Sequence, residues 1–256
     1  MKEIHYLLGN SCNLNCDFCF WDMRVQDVAW GIKEKIIDSI VQGGFRQVTI
    51  SGGEPSINKD FVNVLRRFKK SGIATIVHTN AIKFDVNLLS TIKPLVNRIS
   101  LSLDGSNENV CVNMRKDPRA YTKVIWILDK ILENNIPVNV KTLVTKINAA
   151  DIVNIGKLLE RRKIDYWTLM EFNPVNRGNY FKTKFELEDT IFDTISTNVK
   201  NVVKDTVIKV KLFKREPEKY CFIAPNADIY TFIPEKGDVL VGSVLNTNLS
   251  IILKEI

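Results

Sequence analysis

The sequence of 256 residues predicts an α/β protein: a partial (β/α)6 parallel barrel with a small C-terminal antiparallel α+β extension. Six short apolar runs alternate with five stretches of helical periodicity, which is the pattern of a parallel sheet. The repeats are similar in length, and no glycine-rich nucleotide fingerprint follows the first strand, so a curved barrel is favoured over a Rossmann sheet. After about residue 175 this alternation ends.

The barrel strands are predicted from apolar runs bounded by turn residues. They cover residues 4–8, 47–50, 73–77, 98–103, 137–144 and 164–170. Helices with apolar residues at helical spacing are predicted around residues 32–40, 61–68, 86–92, 117–134 and from 148 onward. Asp117-Pro118 is predicted to cap the fourth helix, and Asn148 with Asp151 resembles a capping box for the fifth.

The two predicted domains are residues 1–175, the barrel, and residues 176–256, the extension. In the extension a helix is predicted at 185–199, and strands are predicted at 207–213, 220–223, 229–232 and 239–241. Turns are expected at Pro217, at Pro225 and at residues 234–237. Because no low-complexity linker precedes it, the extension is expected to dock against the barrel mouth.

Composition argues against membrane and secreted classes. The sequence is 45% hydrophobic and 25% charged, as in ordinary globular proteins, and no apolar run approaches a membrane span. The N-terminus does not have the pattern of a signal peptide. Five cysteines, three of them clustered, indicate a reducing, cytoplasmic setting. The net charge of +7 favours anionic partners, although lysine-rich helix faces account for much of it and nucleic-acid binding is not expected.

Three cysteines follow the first strand at the spacing C-x3-C-x2-C: Cys12, Cys16 and Cys19. Three thiolates on one loop can hold three corners of a cubane iron–sulfur cluster and leave its fourth iron open. The next cysteine in the sequence is Cys111. A zinc site, which uses four ligands or three and a water, is one alternative, and three unrelated buried thiols are another.

A second motif, Ser51-Gly-Gly-Glu-Pro55, lies at the end of the second strand. Gly52 and Gly53 would let the backbone approach a ligand closely, and the Glu54 carboxylate could accept a hydrogen bond from an ammonium group. The alternative is a plain strand-to-helix turn in which Pro55 ends the strand.

These two motifs, together with Phe18 before the last cysteine, resemble those of the radical S-adenosylmethionine (SAM) superfamily. The resemblance implies a [4Fe–4S] cluster on Cys12, Cys16 and Cys19, with SAM chelated at the open iron. It also implies that a reductant such as flavodoxin or ferredoxin supplies one electron. The product of SAM cleavage is then a 5′-deoxyadenosyl radical, which takes hydrogen from a substrate.

The fourth strand carries polar residues on alternate positions, among them Ser100, Ser102 and Asp104. If the apolar positions face the outer helices, the polar positions face the lumen, where they would need a polar guest. A water-facing edge strand is the alternative. The resemblance assigns Ser102 and Asp104 to the SAM ribose.

The resemblance also adds residues from neighbouring segments to the cofactor site. Asn80 matches a Thr-Asn-Gly motif in which Ala81 replaces glycine, and Arg115 resembles an arginine near the SAM carboxylate. Apart from the resemblance, Lys141 is predicted to contact the cofactor, because it shares a face of the fifth strand with Asn139. His78 is expected to be structural, with proton donation as the alternative, and no catalytic residue is assigned.

The extension suggests the substrate class. The segment from Cys221 to Tyr230 resembles the twitch or SPASM extension of peptide-modifying members, which favours a peptide or protein substrate. A single thiol cannot hold an auxiliary cluster, so none is predicted. The cysteine loop and the stretch 167–179 also resemble the viperin group, so a nucleotide substrate is the alternative. A non-catalytic metal-binding or electron-transfer protein is the hypothesis from another class. No sequence feature indicates an oligomeric state.

Overall fold

One continuous sheet forms the centre of the computed structural model, which describes residues 3–21, 25–215, 220–233, 237–247 and 249. Its strands are β1 (Glu3–Leu7), β2 (Gln47–Ser51), β3 (Ala74–Thr79), β4 (Arg98–Ser102), β5 (Val138–Val144), β6 (Tyr166–Glu171), β7 (Ile208–Lys211), β8 (Cys221–Ile223), β9 (Asp228–Ile233) and β10 (Gly237–Ser243). The strand order is β10-β9-β8-β1-β2-β3-β4-β5-β6-β7.

The helices connect successive strands or follow the sixth. They are α1 (Trp30–Gln42), α2 (Phe61–Lys70), α3 (Val86–Ile92), α4 (Glu108–Arg115), α5 (Ala120–Glu133), α6 (Ile152–Glu160), α7 (Asn176–Tyr180), α8 (Lys182–Phe185) and α9 (Asp189–Val202). Short 3-10 turns lie at Pro55–Ile57 and Ala149–Asp151. None of the described helices combines the length and apolarity needed to cross a bilayer.

The predicted parallel barrel is confirmed. Strands β1 to β6 pair in sequence order, and every pairing is parallel. The sheet stays open, because β7 and β10 form its two edges. All six carboxyl ends therefore meet at one rim, where the loops after the strands come together.

The extension continues this sheet at both edges. The expected antiparallel pairing of the strand at 207–213 is wrong, because β7 pairs with β6 in parallel. On the other side β8 is parallel to β1, and only the β8–β9–β10 ribbon is antiparallel. The division of the chain into two domains at residue 175 stays a prediction. The turns expected at Pro217 and at residues 234–236 lie outside the described residues.

Two helix starts differ from their predicted capping. Helix α5 begins three residues after Asp117, whose carboxylate accepts from the Arg119 backbone N–H at 2.8 Å instead of capping the helix. Asn148 and Asp151 do not form a capping box. The Asn148 side chain donates to the carbonyls of Asp104 and Leu143, and Asp151 accepts from Ser106. Asp117 is thus engaged by a residue only two positions on, whereas Asn148 and Asp151 bind residues of the distant segment 104–106. Helix α4, with Glu108 in its first turn, was not predicted.

The two faces of β4 have the predicted character. Ile99, Leu101 and Leu103 are buried in the core that the sheet forms with the outer helices. Ser100, on the opposite face, is also buried, and its hydroxyl donates to Asn139 Oδ1 on β5. The lumen therefore carries hydrogen-bonding side chains where an ordinary barrel carries branched apolar ones.

A buried ion pair joins the first two helices. Lys33 lies on the buried face of α1 with 2% of its side chain exposed, and its Nζ lies 2.7 Å from Asp60 Oδ2 before α2. The ammonium also donates to Asn58 Oδ1 at 3.2 Å. A charge this far from water requires its partner, because an unpaired buried charge is strongly destabilising.

We expect Lys33→Met to lower the free energy of unfolding by about 3 kcal/mol, because Asp60 would lose its counter-ion. The matched control is Lys35→Met on the exposed face of the same helix, which should change it by less than about 0.5 kcal/mol. Urea denaturation followed by circular dichroism measures both. Equal effects of the two substitutions would contradict a structural role for the pair.

Candidate functional site

The three motif cysteines lie on the loop of residues 9–20 that follows β1, here called the cysteine loop. Cys16 is buried, Cys19 is half-buried and Cys12 is exposed. The Cys16 thiol donates to the Arg115 carbonyl at 3.8 Å, and the Cys19 thiol donates to the Trp21 carbonyl at 3.4 Å. Cys12 Sγ accepts from the Leu14 backbone N–H at 3.4 Å. One thiol is thus open to the rim and one is held inside.

The thiols influence one another electrostatically. Burial raises the pKa of Cys16 to about 11. Although Cys12 as a residue is exposed, the surrounding protein desolvates its thiol enough to raise the pKa as well, and Cys19 adds to both shifts. The neighbouring Arg115 guanidinium opposes both shifts because it favours thiolates. Cluster or metal binding at this loop must therefore displace protons from the thiols.

The donor set distinguishes a cluster from a single ion. Among the described residues, no three Cys, His, Asp or Glu side chains converge on one position where they could ligate a single ion. Ligands of one zinc ion lie about 2.3 Å from it and hence close together, whereas the thiolates of a cubane cluster bind different irons. Three thiols on one loop, with one exposed at the rim, are the donors that three irons of a cubane cluster would need.

The turn at Ser51–Pro55 holds the cysteine loop by its backbone. The N–H groups of Gly53 and Glu54 donate to the carbonyls of Gly9 and Ser11, both at 2.9 Å. A Cβ on Gly53 would lie 2.2 Å from the Ser11 carbonyl oxygen, and Gly52 has a φ of +125. The close approach expected of these glycines is therefore made to the cysteine loop itself. Pro55 opens the 3-10 turn that follows.

The Glu54 carboxylate is buried and occupied by this chain. It accepts from Ser56, from the Thr79 hydroxyl at 2.7 Å and from the Asn80 backbone N–H at 2.8 Å. Burial raises its pKa although these donors favour the ionised form. In the structure Glu54 thus ties β2 to β3, and its contact with a SAM ammonium group stays a prediction.

Asn80 links the end of β3 to the cysteine loop. Its Nδ2 donates to Asn13 Oδ1 at 3.0 Å and lies 3.7 Å from Cys12 Sγ. Ala81, which replaces the glycine of the resembling motif, has a φ of 63 and is fully buried. The backbone conformation that glycine favours is thus present with a methyl group in place of hydrogen.

Asp104 and Arg115 form a buried ion pair under the cysteine loop. Asp104 Oδ2 accepts from Arg115 Nε at 2.6 Å, and Oδ1 accepts from the Leu143 backbone N–H at 2.8 Å. Burial disfavours the charge of Arg115, but the Asp104 carboxylate outweighs this and raises the pKa of Arg115. The guanidinium therefore stays a cation. The guanidinium lies 5.0 Å from the centre of the Phe18 ring. Both Asp104 oxygens therefore have partners within this chain, and its ribose contact stays a prediction.

A small cavity lies between these groups. Asn80, Ser102, Asp104 and Arg115 line it together with Cys111, and its volume is about 10 Å³. Such a space holds about one water molecule. Four of the predicted SAM residues thus come together, but a ribose would enter this cavity only if side chains moved. The predicted role of Ser102 is therefore also untested.

Lys141 does not line this cavity, although it is the strand partner of Ser102 on β5. Its Nζ is 2.9 Å from His78 Nε2 on β3. Desolvation, followed by the charge of Lys141 and by His5, lowers the pKa of His78 well below its usual range, so the imidazole is neutral. The predicted contact of Lys141 with SAM stays a prediction, and its observed neighbour is His78.

Asp17 is a functional candidate that the sequence analysis missed. Its buried carboxylate contacts Lys116, Lys184 Nζ at 3.1 Å and Arg177 at 3.5 Å. Lys116 follows α4, Arg177 lies on α7 and Lys184 lies on α8. Three positive side chains from beyond the loop thus converge on one carboxylate between two cysteines. Its position inside the motif was the only sequence signal, because the three cations are far away in sequence.

Helices α7 and α8 make further polar and apolar contacts with the cysteine loop. Asn176 Nδ2 donates to the Phe20 carbonyl at 2.7 Å, and the Arg177 guanidinium donates to Asn15 Oδ1. Phe18 packs edge-on against Phe185, with 5.6 Å between ring centres. We call Asp17 and its three cations, together with these contacts, the loop clamp. It joins the cysteine loop to the segment after residue 175.

Comparison with known proteins agrees with the motifs. The family model described as the Radical SAM superfamily matches residues 6–159, more than half of the chain. This range begins in β1 and ends in α6, so it contains the cysteine loop, the Ser51–Pro55 turn and the Asp104–Arg115 pair.

Two curated relatives show how far the sequence likeness extends. An S-adenosylmethionine-dependent nucleotide dehydratase from Lacinutrix mariniflava is 24% identical over 95% of this chain and 48% of its own length. A GTP 3′,8-cyclase from Clostridium perfringens is 27% identical over 71% of this chain and 59% of its own length. The chain therefore spans about half the length of the curated relatives it matches.

Solved structures share the fold. Streptococcus suis SuiB bound to its precursor peptide SuiA superposes with a TM-score of 0.78 at 18% identity, covering 98% of this chain and 64% of SuiB. Native anSMEcpe with bound AdoMet gives a TM-score of 0.78 at 14% identity, covering 98% of this chain and 80% of its own. The likeness to both includes the segment after residue 175.

We expect Gly53→Ala to lower the free energy of unfolding by at least about 2 kcal/mol, because the new methyl group would overlap the Ser11 carbonyl. Gly31→Ala in α1, where nothing lies within 4 Å of the new Cβ, should be neutral or stabilising by up to about 1 kcal/mol. Thermal denaturation compares the two. A tolerated Gly53→Ala would mean that the loop and the turn are not held this closely.

Asp17→Asn should weaken the loop clamp, because three cations lose their shared counter-charge. We expect a loss of about 1 to 2 kcal/mol in unfolding free energy and faster proteolysis of residues 9–20. Asp38→Asn is the control: its 54% exposed carboxylate pairs with Arg67, and its loss should cost less than about 0.5 kcal/mol. Unchanged proteolysis of the loop in Asp17→Asn would show that the clamp does not hold it.

Proposed function

The chain belongs to the radical SAM superfamily, and we propose that it is an enzyme that cleaves SAM reductively at a [4Fe–4S] cluster held by Cys12, Cys16 and Cys19. The observation that carries the proposal is the cysteine loop, which offers three thiols and is held by Gly53, Glu54 and Asn80. When bound, the cluster and SAM supply a one-electron cleavage of the C5′–S bond, giving a 5′-deoxyadenosyl radical that takes hydrogen from a substrate.

The residues of this chain would place the reactants. Arg115 provides a fixed positive charge next to Cys16, where a carboxylate of SAM would be attracted. Asn80 and Ser102 offer polar groups at the adjacent rim. The loop clamp limits movement of the loop, which matters because a primary radical reacts with whatever lies nearest. A one-electron donor such as flavodoxin or ferredoxin completes the proposal.

Two substrate classes are supported by different observations. A peptide is the expectation from the extension, and SuiB, which shares the fold over nearly the whole chain, was solved with a precursor peptide. A nucleotide is supported by the relative from Lacinutrix mariniflava, whose likeness covers 95% of this chain and therefore reaches the extension. For either class, we propose that the substrate binds in the lumen beside the cysteine loop.

The test is anaerobic reconstitution with iron, sulfide, dithionite and SAM. We expect 5′-deoxyadenosine and methionine to form, and we expect Cys16→Ala to abolish both because one cluster ligand is lost. Cys221→Ala on β8 is the control and should retain the products.

Chromatography with mass detection measures both products. Two results would favour the metal-binding or electron-transfer hypothesis instead. One is that the protein binds one zinc ion and no iron. The other is that dithionite reduces the cluster of the wild-type protein but no 5′-deoxyadenosine forms.

A further inference from the structure

The thiols of the cysteine loop differ in their hydrogen bonds. The Cys16 thiol donates to a backbone carbonyl, whereas Cys12 Sγ is an acceptor. It receives the Leu14 backbone N–H at 3.4 Å and lies 3.7 Å from Asn80 Nδ2 on the neighbouring strand end. A thiolate that binds a metal has lost its proton and can only accept hydrogen bonds. The surroundings of Cys12 therefore suit the bound form of its sulfur.

The other contacts of Asn80 fix the orientation of its amide. Its Oδ1 accepts from the Ile82 backbone N–H at 3.0 Å, and its own backbone N–H donates to Glu54 Oε2 at 2.8 Å. The Nδ2 group therefore faces the cysteine loop. One of its hydrogens is donated to Asn13 Oδ1 at 3.0 Å, which leaves the second hydrogen for Cys12 Sγ.

The same arrangement leaves Asn13 with a buried donor. Because its Oδ1 accepts from Asn80, its Nδ2 lies on the other branch of the amide. This nitrogen is buried and has no hydrogen-bond partner among the described residues. A buried donor without an acceptor costs about 1–3 kcal/mol. Asn13 follows Cys12 directly in the sequence, so a group bound at that thiol can supply the missing acceptor.

We propose that Asn80 and Asn13 are paired amide donors to the sulfur atoms of a cluster bound at Cys12, and that they raise its reduction potential. The inference rests on the proposed function. Asn80 donates to the Cys12 thiolate, and the spare N–H of Asn13 donates to a cluster sulfide. Reduction adds one electron, which the one-electron donor of the proposed function supplies, and breaks no bond. Because N–H donors stabilise the added negative charge, they make the cluster easier to reduce.

The test is a redox titration of the reconstituted protein without SAM, followed by the electron paramagnetic resonance signal of the reduced cluster. Only molecules that hold a cluster contribute to this signal, so partial loading of a variant does not change the midpoint. The quantity compared is the ratio of reduced to oxidised cluster at the wild-type midpoint potential. A tenfold change in this ratio corresponds to about 59 mV for a one-electron couple.

Two variants remove the donors. Asn13→Ala should lower the ratio about threefold, because one hydrogen bond is lost. Asn80→Asp should lower it at least about tenfold, because it places a negatively charged acceptor beside Cys12. It keeps the oxygen that accepts from Ile82. Circular dichroism verifies folding. Should Asn13→Ala not fold, Asn13→Asp replaces it, since it keeps the acceptor for Asn80 and lacks the N–H.

Asn15→Asp is the matched control for the added charge. Asn15 is exposed on the same loop, and its Oδ1 accepts from Arg177. A charge at this exposed position is screened by water, so the ratio should stay within about twofold of the wild-type value.

The inference is overturned if Asn13→Ala and Asn80→Asp have the wild-type midpoint, or if Asn15→Asp shifts it as much as Asn80→Asp does. It is also overturned if Asn13→Ala changes the midpoint only after SAM is added, because Nδ2 would then bind the SAM carboxylate. None of these results depends on SAM cleavage. Shifted midpoints in a protein that does not cleave SAM with dithionite would retain the amide pair and lose the proposed function.

Discussion

The backbone contact between the cysteine loop and the turn at Gly52–Glu54 is the constraint on which the site depends. Two N–H groups of the turn donate to two carbonyls of the loop, and a glycine without Cβ allows this distance. Because these two hydrogen bonds hold the backbone, the Glu54 side chain is left to point into the protein, where it binds the end of β3. Hydrogen bonds thereby join the ends of three strands.

Ion pairs form a second set of contacts around the cysteine loop. Two buried carboxylates, Asp17 and Asp104, hold the cations that surround the loop, and each receives groups from distant parts of the chain. Basic side chains also lie on the lumen face of the sheet, where the strand registers place Lys141 and Lys209. The basic residues of the sequence therefore lie partly on solvated helices and partly on the lumen face of the barrel.

The local sequence pattern predicted the helices and strands well but the hydrogen-bond partners of the side chains poorly. Helix α3 was predicted with the observed bounds, and the polar face of β4 was correctly assigned to the lumen. Glycines at 52 and 53 were recognised as sites of close approach, although their partner is this chain's own loop. The capping roles of Asp117 and Asn148 were wrong, because Asp117 accepts from Arg119 ahead of the helix and Asn148 donates to the backbone carbonyls of Asp104 and Leu143.

The sequence by itself determined the three-thiol loop, the turn that holds it and the parallel barrel, because these follow from spacing and periodicity within short stretches. Tertiary structure alone decided that β7 and β8 join the same sheet, that Asp17 gathers cations from three later segments, and that Lys141 lies beside His78. The physical reason is that hydrophobic periodicity is a local property. Which charges and donors meet depends on how strands far apart in the chain are placed side by side.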